Sequence, residues 1–509
     1  MKRRRASGVL LHPTSLPGRF GIGELGAEAF RFAEFLAGAG QSLWQVLPLG
    51  HTGYGDSPYQ CFSAFAGNPL LVSLEPLATD GLLDAGVLAA APAFPDAAVD
   101  YEEVARFKLP LLARAFERFE SASPPAARDD FESFCRAQAT WLDDYALFMA
   151  AKGEHKDASW VDWDRALAAR EPAALERLAR ERSDSLQACR FGQWLFFRQW
   201  GALHKHCRAR QIEIMGDVPI FVAHDSADVW ANRELFYLEP DGRPSFVAGV
   251  PPDYFSATGQ CWGNPLYRWD ALAQTGFRWW IERFRAVLGL VDLMRVDHFR
   301  GFQAYWEIPG TETTAVAGRW VEAPGAALFE ALRAALGELP IVAENLGVIT
   351  PEVEALRERF GFPGMTILQF AFGSDPQGPG FRPHNYSRDL FAYTGTHDND
   401  TAVGWWTSGV GESTRTEQEV EEERAFALKY LDADGREIQW AMIRALLASV
   451  ADTAVVPLQD VLGLGSDARM NVPGRASGNW RWRFKADALT DGLRERLREM
   501  TVIFGRMPP

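Results

Sequence analysis

Six ionisable side chains stand where chemistry can be read from this chain: Asp217, Arg295, Asp297, Glu344, His397 and Asp398. Arg295 and Asp297 lie in Val291-Asp-Leu-Met-Arg-Val-Asp-His-Phe-Arg-Gly-Phe302, an apolar β-type run with an arginine and an aspartate two residues apart. Side chains at i and i+2 of a strand face the same way, so the two emerge side by side. An adjacent opposite charge favours the ionised form of a carboxyl. That form is what a carboxylate nucleophile requires. Clustered carboxylates serve two chemistries, metal-assisted reactions and glycosyl transfer. A hard cation would take Asp217, Glu344 and Asp398 as oxygen ligands. Arg295 beside Asp297 is a poor neighbour for a dication, and no second histidine gives a transition-metal set. Cleavage of a glycosidic bond needs two flanking carboxyls, one ionised and one protonated. Asp297 suits the first role. Glu344 follows the apolar Pro340-Ile-Val-Ala343 run, and burial there would keep it a proton donor. Asp398 is placed to hold sugar hydroxyls and to oppose positive charge developing on the ring.

These residues must be positioned by repeated strands. Apolar runs near residues 9, 45, 214, 293, 342, 368, 393 and 456 read as eight strands, most of them separated by helical spacing. Helices are expected over 25–40, 277–288, 326–336 and 436–448, and another after Thr350, with Thr350 as N-cap, Pro351 in the first turn and Gly361 beyond the end. Eight strands in β/α alternation predict a closed (β/α)8 barrel. A doubly wound open sheet is disfavoured because no glycine-rich phosphate loop follows an early strand. The alternation stops over 77–210, which reads as a mainly helical insertion after the second strand, inside a single catalytic barrel spanning 1–509. The stretch 249–265 reads as a lid loop. In a barrel of this kind chemistry sits at the C-terminal strand ends, which is where Asp217 (third), Arg295 and Asp297 (fourth), Glu344 (fifth), and His397 and Asp398 (seventh) fall.

Composition narrows the partners. The net charge of −15 argues against nucleic acid and anionic membranes, both of which reward basic patches. Cys61, Cys135, Cys189, Cys207 and Cys261 are scattered and odd in number, without a CxxC or Cys/His metal pattern, which predicts a reduced, cytoplasmic setting. The basic start is followed by too short an apolar stretch for a signal peptide, and no run reaches the roughly 18 apolar residues of a membrane-spanning helix.

Three segments then carry a resemblance: Arg295-Val-Asp-His-Phe-Arg-Gly-Phe302, Ala343-Glu-Asn-Leu-Gly347 and Thr396-His-Asp-Asn-Asp-Thr401. Together with His12-Pro-Thr-Ser-Leu-Pro17, Gly55-Asp-Ser-Pro-Tyr-Gln60, Gly216-Asp-Val-Pro-Ile-Phe221, Gln260-Cys-Trp-Gly-Asn-Pro265 and Arg469-Met-Asn-Val-Pro-Gly474, the chain resembles the 4-α-glucanotransferases (amylomaltases, or disproportionating enzymes) of the α-amylase superfamily almost end to end. The resemblance implies a retaining double displacement on maltooligosaccharides and α-1,4-glucans. It makes Asp297 the nucleophile, Glu344 the acid/base, Asp398 the transition-state stabiliser and Arg295 the residue that orients Asp297. By the same resemblance Tyr59 stacks on sugar, while Asp217, His298 and His397 bind hydroxyls or neighbouring groups. Trp262 belongs to the acceptor-side lid, Asn471 is a further contact, and Tyr54 and Tyr101 form a second, remote glucan groove. No cofactor or metal is expected, since Val218-Pro-Ile-Phe-Val222 stands where many α-amylases carry an Asn-His pair associated with calcium. A hydrolase with the same triad and a non-catalytic glucan-binding barrel are the alternatives.

Overall fold

In the computed structural model, which describes residues 4–252, 257–410 and 416–508, eight parallel strands form the centre: β1 Ala6–Leu10, β2 Leu43–Gln45, β3 Glu213–Val218, β4 Leu293–Val296, β5 Ile341–Ala343, β6 Gly364–Ile367, β7 Leu390–Tyr393 and β8 Thr453–Pro457. Their lateral order is β6-β7-β8-β1-β2-β3-β4-β5. The ring closes between β5 and β6, where the Ala343 N–H donates to the Pro363 carbonyl at 2.8 Å and the Met365 N–H to Asn345 Oδ1 at 2.8 Å. This is a (β/α)8 barrel. Its strands are short apolar runs, buried almost throughout because helices cover the outside and side chains fill the inside. At Gly8 a Cβ would lie 2.3 Å from the Leu43 carbonyl oxygen, so β1 and β2 approach closely only because that position carries no side chain.

The expected helices are present as Ala27–Gly38, Arg278–Leu288, Gly325–Leu336, Pro351–Phe360 and Ile438–Ala448. Gly361 takes the left-handed conformation (φ 68°) and its N–H donates to the Arg357 and Glu358 carbonyls, closing the Pro351–Phe360 helix. Thr350 occupies the N-cap position of that helix but makes no side-chain capping bond. Between β2 and β3 run the long helices Tyr101–Ala122, Pro125–Glu154 and Ser183–Ala209. Phe119, Phe131, Phe191 and Trp194 pack ring against ring among them. The third of these helices is fixed to the barrel: Trp200 Nε1 donates to the Leu290 carbonyl at 2.8 Å, and His204 meets Asp292 at 2.8 Å just before β4.

Three expectations need correction. The sixth strand, expected to run over Met365–Phe370, stops at Ile367, and Leu368–Ala371 is a 3₁₀ turn. The seventh ends at Tyr393, so His397 and Asp398 stand on the loop beyond it. The stretch 249–265 is not a plain loop. Phe246–Val250 and Gln260–Pro265 form an antiparallel hairpin, which joins Ala304–Pro309 and Arg319–Glu322 in a second, four-stranded sheet. Residues 253–256, between the two strands of the hairpin, lie outside the described residues. Glycine hid it from the sequence pattern. A Cβ on Gly249 would come within 2.0 Å of the Gln260 carbonyl oxygen, so the strands pair where a β-propensity pattern is weakest.

Candidate active site

Neighbouring strands deliver the first group. In the β3/β4 register Asp217 stands directly opposite Arg295. The Arg295 guanidinium reaches Asp217 Oδ2 at 2.6 Å with one terminal nitrogen and Asp297 Oδ1 at 2.7 Å with the other. The Tyr59 hydroxyl donates to the same Asp217 oxygen at 2.9 Å. The Asp217 side chain is 0% exposed and the Asp297 side chain 29%, so only Asp297 of this pair is open to an incoming ligand. Burial pushes the Asp217 carboxyl upward, against the charge of Arg295. Burial alone would lower Arg295, but the charges of Asp217 and Asp297 outweigh it and hold the guanidinium well above its ordinary value.

Glu344 follows β5 directly and is held by backbone. Oε2 accepts from the His298 N–H at 2.8 Å and Oε1 from the Leu346 N–H at 2.9 Å. The first bond depends on His298 adopting a left-handed conformation (φ 49°, ψ 52°), which costs a non-glycine residue roughly 1–2 kcal/mol. Burial raises the Glu344 carboxyl to about 7; Arg295 opposes this shift and Asp297 adds to it. Two carboxyls thus stand in opposed environments, one against a guanidinium and one in a backbone pocket.

Asp398 is fixed from the loop after β8. Asn471 Nδ2 donates to Asp398 Oδ1 at 2.6 Å, and the Arg469 guanidinium donates to the Asp398 carbonyl at 2.6 Å and the Asn471 carbonyl at 2.7 Å. His397 Nε2 lies 3.4 Å from Asp398 Oδ2. The Tyr59 ring stacks on His397 with centroids 5.1 Å apart and planes 19° apart. Burial lowers His397, and it lowers His298 to about 4, so both rings are neutral near pH 7. Trp262, on the hairpin strand Gln260–Pro265, stands edge-on to His298 at 4.9 Å.

The structure therefore gathers Tyr59, Asp217, Arg295, Asp297, His298, Glu344, His397, Asp398, Trp262 and Asn471 at one barrel mouth. It does not bring Tyr54 and Tyr101 together as an exposed pair. Tyr54 is 76% exposed, whereas Tyr101 is 6% exposed and its hydroxyl donates to the Trp480 carbonyl at 2.8 Å. Tyr101 is thus a core residue. It supports Trp480, which sequence reasoning missed and whose ring lies 5.8 Å from Tyr59 and 5.9 Å from His397. Trp480 follows a Gly/Ser/Asn stretch at φ 65°; its one sequence signal is the two-residue alternation Trp480, Trp482, Phe484. Arg469, in the Arg469-Met-Asn-Val-Pro-Gly474 segment, is a second such residue, since its guanidinium holds the Asp398 and Asn471 carbonyls. Among the described residues, no group of three or more His, Cys, Asp or Glu is placed to hold a metal ion. Arg295 occupies the position between Asp217 and Asp297 that a cation would share.

A parallel barrel whose strand ends gather an ion-paired carboxylate and a second carboxyl held near neutrality is the arrangement of an enzyme acting on glycosidic bonds. Known proteins narrow that class. The family described as 4-alpha-glucanotransferase matches residues 11–490. The chain is 52% identical over 510 residues to the 4-alpha-glucanotransferase of Synechocystis sp., covering 99% of both chains. It is 52% identical over 508 residues to that of Thermus thermophilus, covering 98% of this chain and 99% of the other. The amylomaltase from Streptococcus agalactiae, solved in complex with acarbose, superimposes with a TM-score of 0.94 at 39% identity, over 99% of this chain and 100% of that one. The chain belongs to the 4-alpha-glucanotransferase family.

Proposed function

We propose that the protein transfers segments of 1,4-α-D-glucan to the 4-position of glucose or a maltooligosaccharide by retaining double displacement. The observation that carries this is the opposed pair: Asp297 against Arg295 at 2.7 Å, and Glu344 between two backbone N–H groups with its carboxyl raised to about 7. Glu344 gives its proton to the glycosidic oxygen as the C1–O bond breaks. Asp297 attacks C1, the leaving sugar departs with the proton, and a glucosyl ester remains. The acceptor 4-hydroxyl then loses its proton to Glu344, its oxygen attacks C1, and the Asp297 carboxylate is released. Two inversions give net retention. Asp398, fixed by Asn471, faces the ring hydroxyls and opposes the oxocarbenium charge. Tyr59 offers a stacking face.

His298 and His397 supply neutral donors and acceptors. Among the described residues, Nε2 of His298 and Nδ1 of His397 are buried without a hydrogen-bond partner, and Nε2 of His397 lies 3.4 Å from Asp398 Oδ2. Trp262 contacts the acceptor sugar beside His298. No cofactor takes part. Exposed Tyr54 remains available to a distant part of a glucan. The helical stretch after β2 is a subdomain of one catalytic unit, and the paired strands Phe246–Val250 and Gln260–Pro265 serve as part of its lid. All five cysteines are free, and among the described residues no helix is long and apolar enough to cross a membrane. A cytoplasmic enzyme acting on soluble glucans fits these facts.

Incubation with maltotriose tests the reading. Glucose plus a ladder of longer oligomers is expected. Glucose and maltose alone would replace transfer by hydrolysis, and no turnover would leave only a glucan-binding barrel.

A further inference from the structure

Arg300 lies two residues beyond His298, on the 3₁₀ turn Phe299–Phe302 that follows β4. It is only 7% exposed, yet it forms no ion pair among the described residues. One terminal nitrogen donates to the Val348 carbonyl. The guanidinium carbon sits 3.7 Å from the centre of the Trp320 ring. Such a cation over an indole face is a favourable contact in a desolvated setting. Val348 belongs to the exposed loop after Glu344, in which Gly347 has φ 85° and Val348 itself is 58% exposed. Leu346, two residues before Val348, supplies the N–H that holds Glu344 Oε1. His298, two residues before Arg300, supplies the N–H that holds Oε2. Arg300 therefore ties together the two backbone arms that grip the Glu344 carboxyl.

Trp320 stands on Arg319–Glu322, the edge strand of the second sheet, directly opposite Trp306. Its ring stands 5.1 Å from Trp306, whose Nε1 donates to the Ala315 carbonyl at 2.9 Å. The Ala315 N–H in turn donates to the Thr258 carbonyl at 3.0 Å, just before the strand Gln260–Pro265. The surface over Arg300 is thus part of the scaffold that borders the acceptor side.

We propose that Arg300, clamped against Trp320, is a positioning residue that keeps the Glu344 loop closed over the acid/base carboxyl. The inference rests on the reading of Glu344 as the acid/base. A fixed loop keeps water away from the carboxyl, and exclusion of water is what holds a neutral carboxylic acid near pH 7. The charges that act on Glu344 itself come from Arg295 and Asp297, whereas the charge of Arg300 falls on His298, whose ring it helps to keep neutral.

The test compares Arg300→Met, which keeps the aliphatic stem and removes the donors, with Arg300→Lys, which can still reach the Val348 carbonyl. In Arg300→Met, turnover of maltotriose should fall about tenfold. The alkaline limb of kcat/KM should move to lower pH, because a more hydrated Glu344 loses its proton sooner. Reaction of an α-glucosyl fluoride, whose leaving group needs no proton, should change little in its first step. Arg300→Lys should recover part of the loss. A limb that stays in place, with equal losses on both donors or no loss at all, would overturn the proposal. Should Arg300→Met not fold, Trp320→Leu leaves Arg300 in place and exposes its face; the same acidward shift, smaller in size, is expected, and an unmoved limb overturns the proposal equally. Glu344→Gln is run alongside. If it shows no dependence on the leaving group, the acid/base reading itself has failed; if it does and the Arg300 variants do not, the failure belongs to the positioning role alone.

Discussion

Arg295 is the residue on which two carboxylates depend, so Arg295→Lys is the most informative single change. The guanidinium serves Asp217 at 2.6 Å and Asp297 at 2.7 Å through different terminal nitrogens. A lysine ammonium is a single point on a flexible stem and cannot reproduce that planar fork. It can sit within hydrogen-bond reach of one carboxylate while the other loses its partner. One charge-assisted bond is worth about 1.5–3 kcal/mol. If the loss falls on the step that forms the glucosyl ester, kcat/KM drops roughly 10- to 150-fold. Arg295→Met goes further and removes the charge, leaving buried Asp217 unpaired at a cost of about 3–5 kcal/mol. The assay is kcat/KM on maltotriose as a function of pH, read at the alkaline limb. On the proposed reading Glu344 must be protonated to serve as the acid, and Arg295 opposes the burial that raises it to about 7. Without that opposition Glu344 keeps its proton to higher pH, so the limb in Arg295→Met must move up. This is opposite to the shift expected for Arg300→Met, although both variants lose a buried arginine. A limb that moves down or stays fixed, or an Arg295→Lys enzyme with normal turnover, would refute the reasoning.

Glu344→Gln should abolish most turnover of maltotriose while sparing the first step on an α-glucosyl fluoride, and equal losses on the two donors would count against the acid role. Tyr59→Phe keeps the ring stacked on His397 and removes the donor to Asp217, so about a tenfold loss in kcat/KM is expected, with Tyr59→Ala losing clearly more; identical losses would remove the stacking role. Exhaustive chelation should leave turnover of maltotriose unchanged, and activity that returns only on adding calcium would overturn the metal-free scheme.

Much of this site was legible because strand geometry is local. The two-residue spacing of Arg295 and Asp297 placed them on one face, and an ion pair at 2.7 Å is what results. The apolar run before Glu344 foretold its burial, and the carboxyl is raised accordingly. What escaped depends on contacts between distant segments. Tyr101 looks like any tyrosine opening a helix. Only the fold shows its hydroxyl meeting a carbonyl 379 residues away and so placing Trp480 behind Tyr59. The second sheet was missed because its pairing at Gly249 tolerates no side chain, and glycine weakens every strand signal. The reach of Asp398 past its strand was invisible for a similar reason: its position is set by Asn471 and Arg469 from another loop.

The two principal carboxyls also differ in what secures them, and that difference bears on which step each can limit. Asp297 is secured by a side chain from its own strand, so its position is as rigid as the barrel. Glu344 is secured by two peptide N–H groups, one on a left-handed histidine and one in an exposed loop beside Gly347. Peptide donors stabilise the carboxylate and burial stabilises the acid, so the group sits near the balance point at which giving and taking a proton are equally easy. The double displacement proposed above needs that balance, because in it the same carboxyl donates in the first step and accepts in the second. The balance is only as firm as the loop. On the proposed reading, a pocket kept dry around Glu344 favours a sugar hydroxyl over water as the group that resolves the ester. On this argument the preference for transfer over hydrolysis lies in how tightly the 345–349 loop is held, and substitutions that loosen it should raise the share of hydrolysis even where the carboxyls themselves are intact.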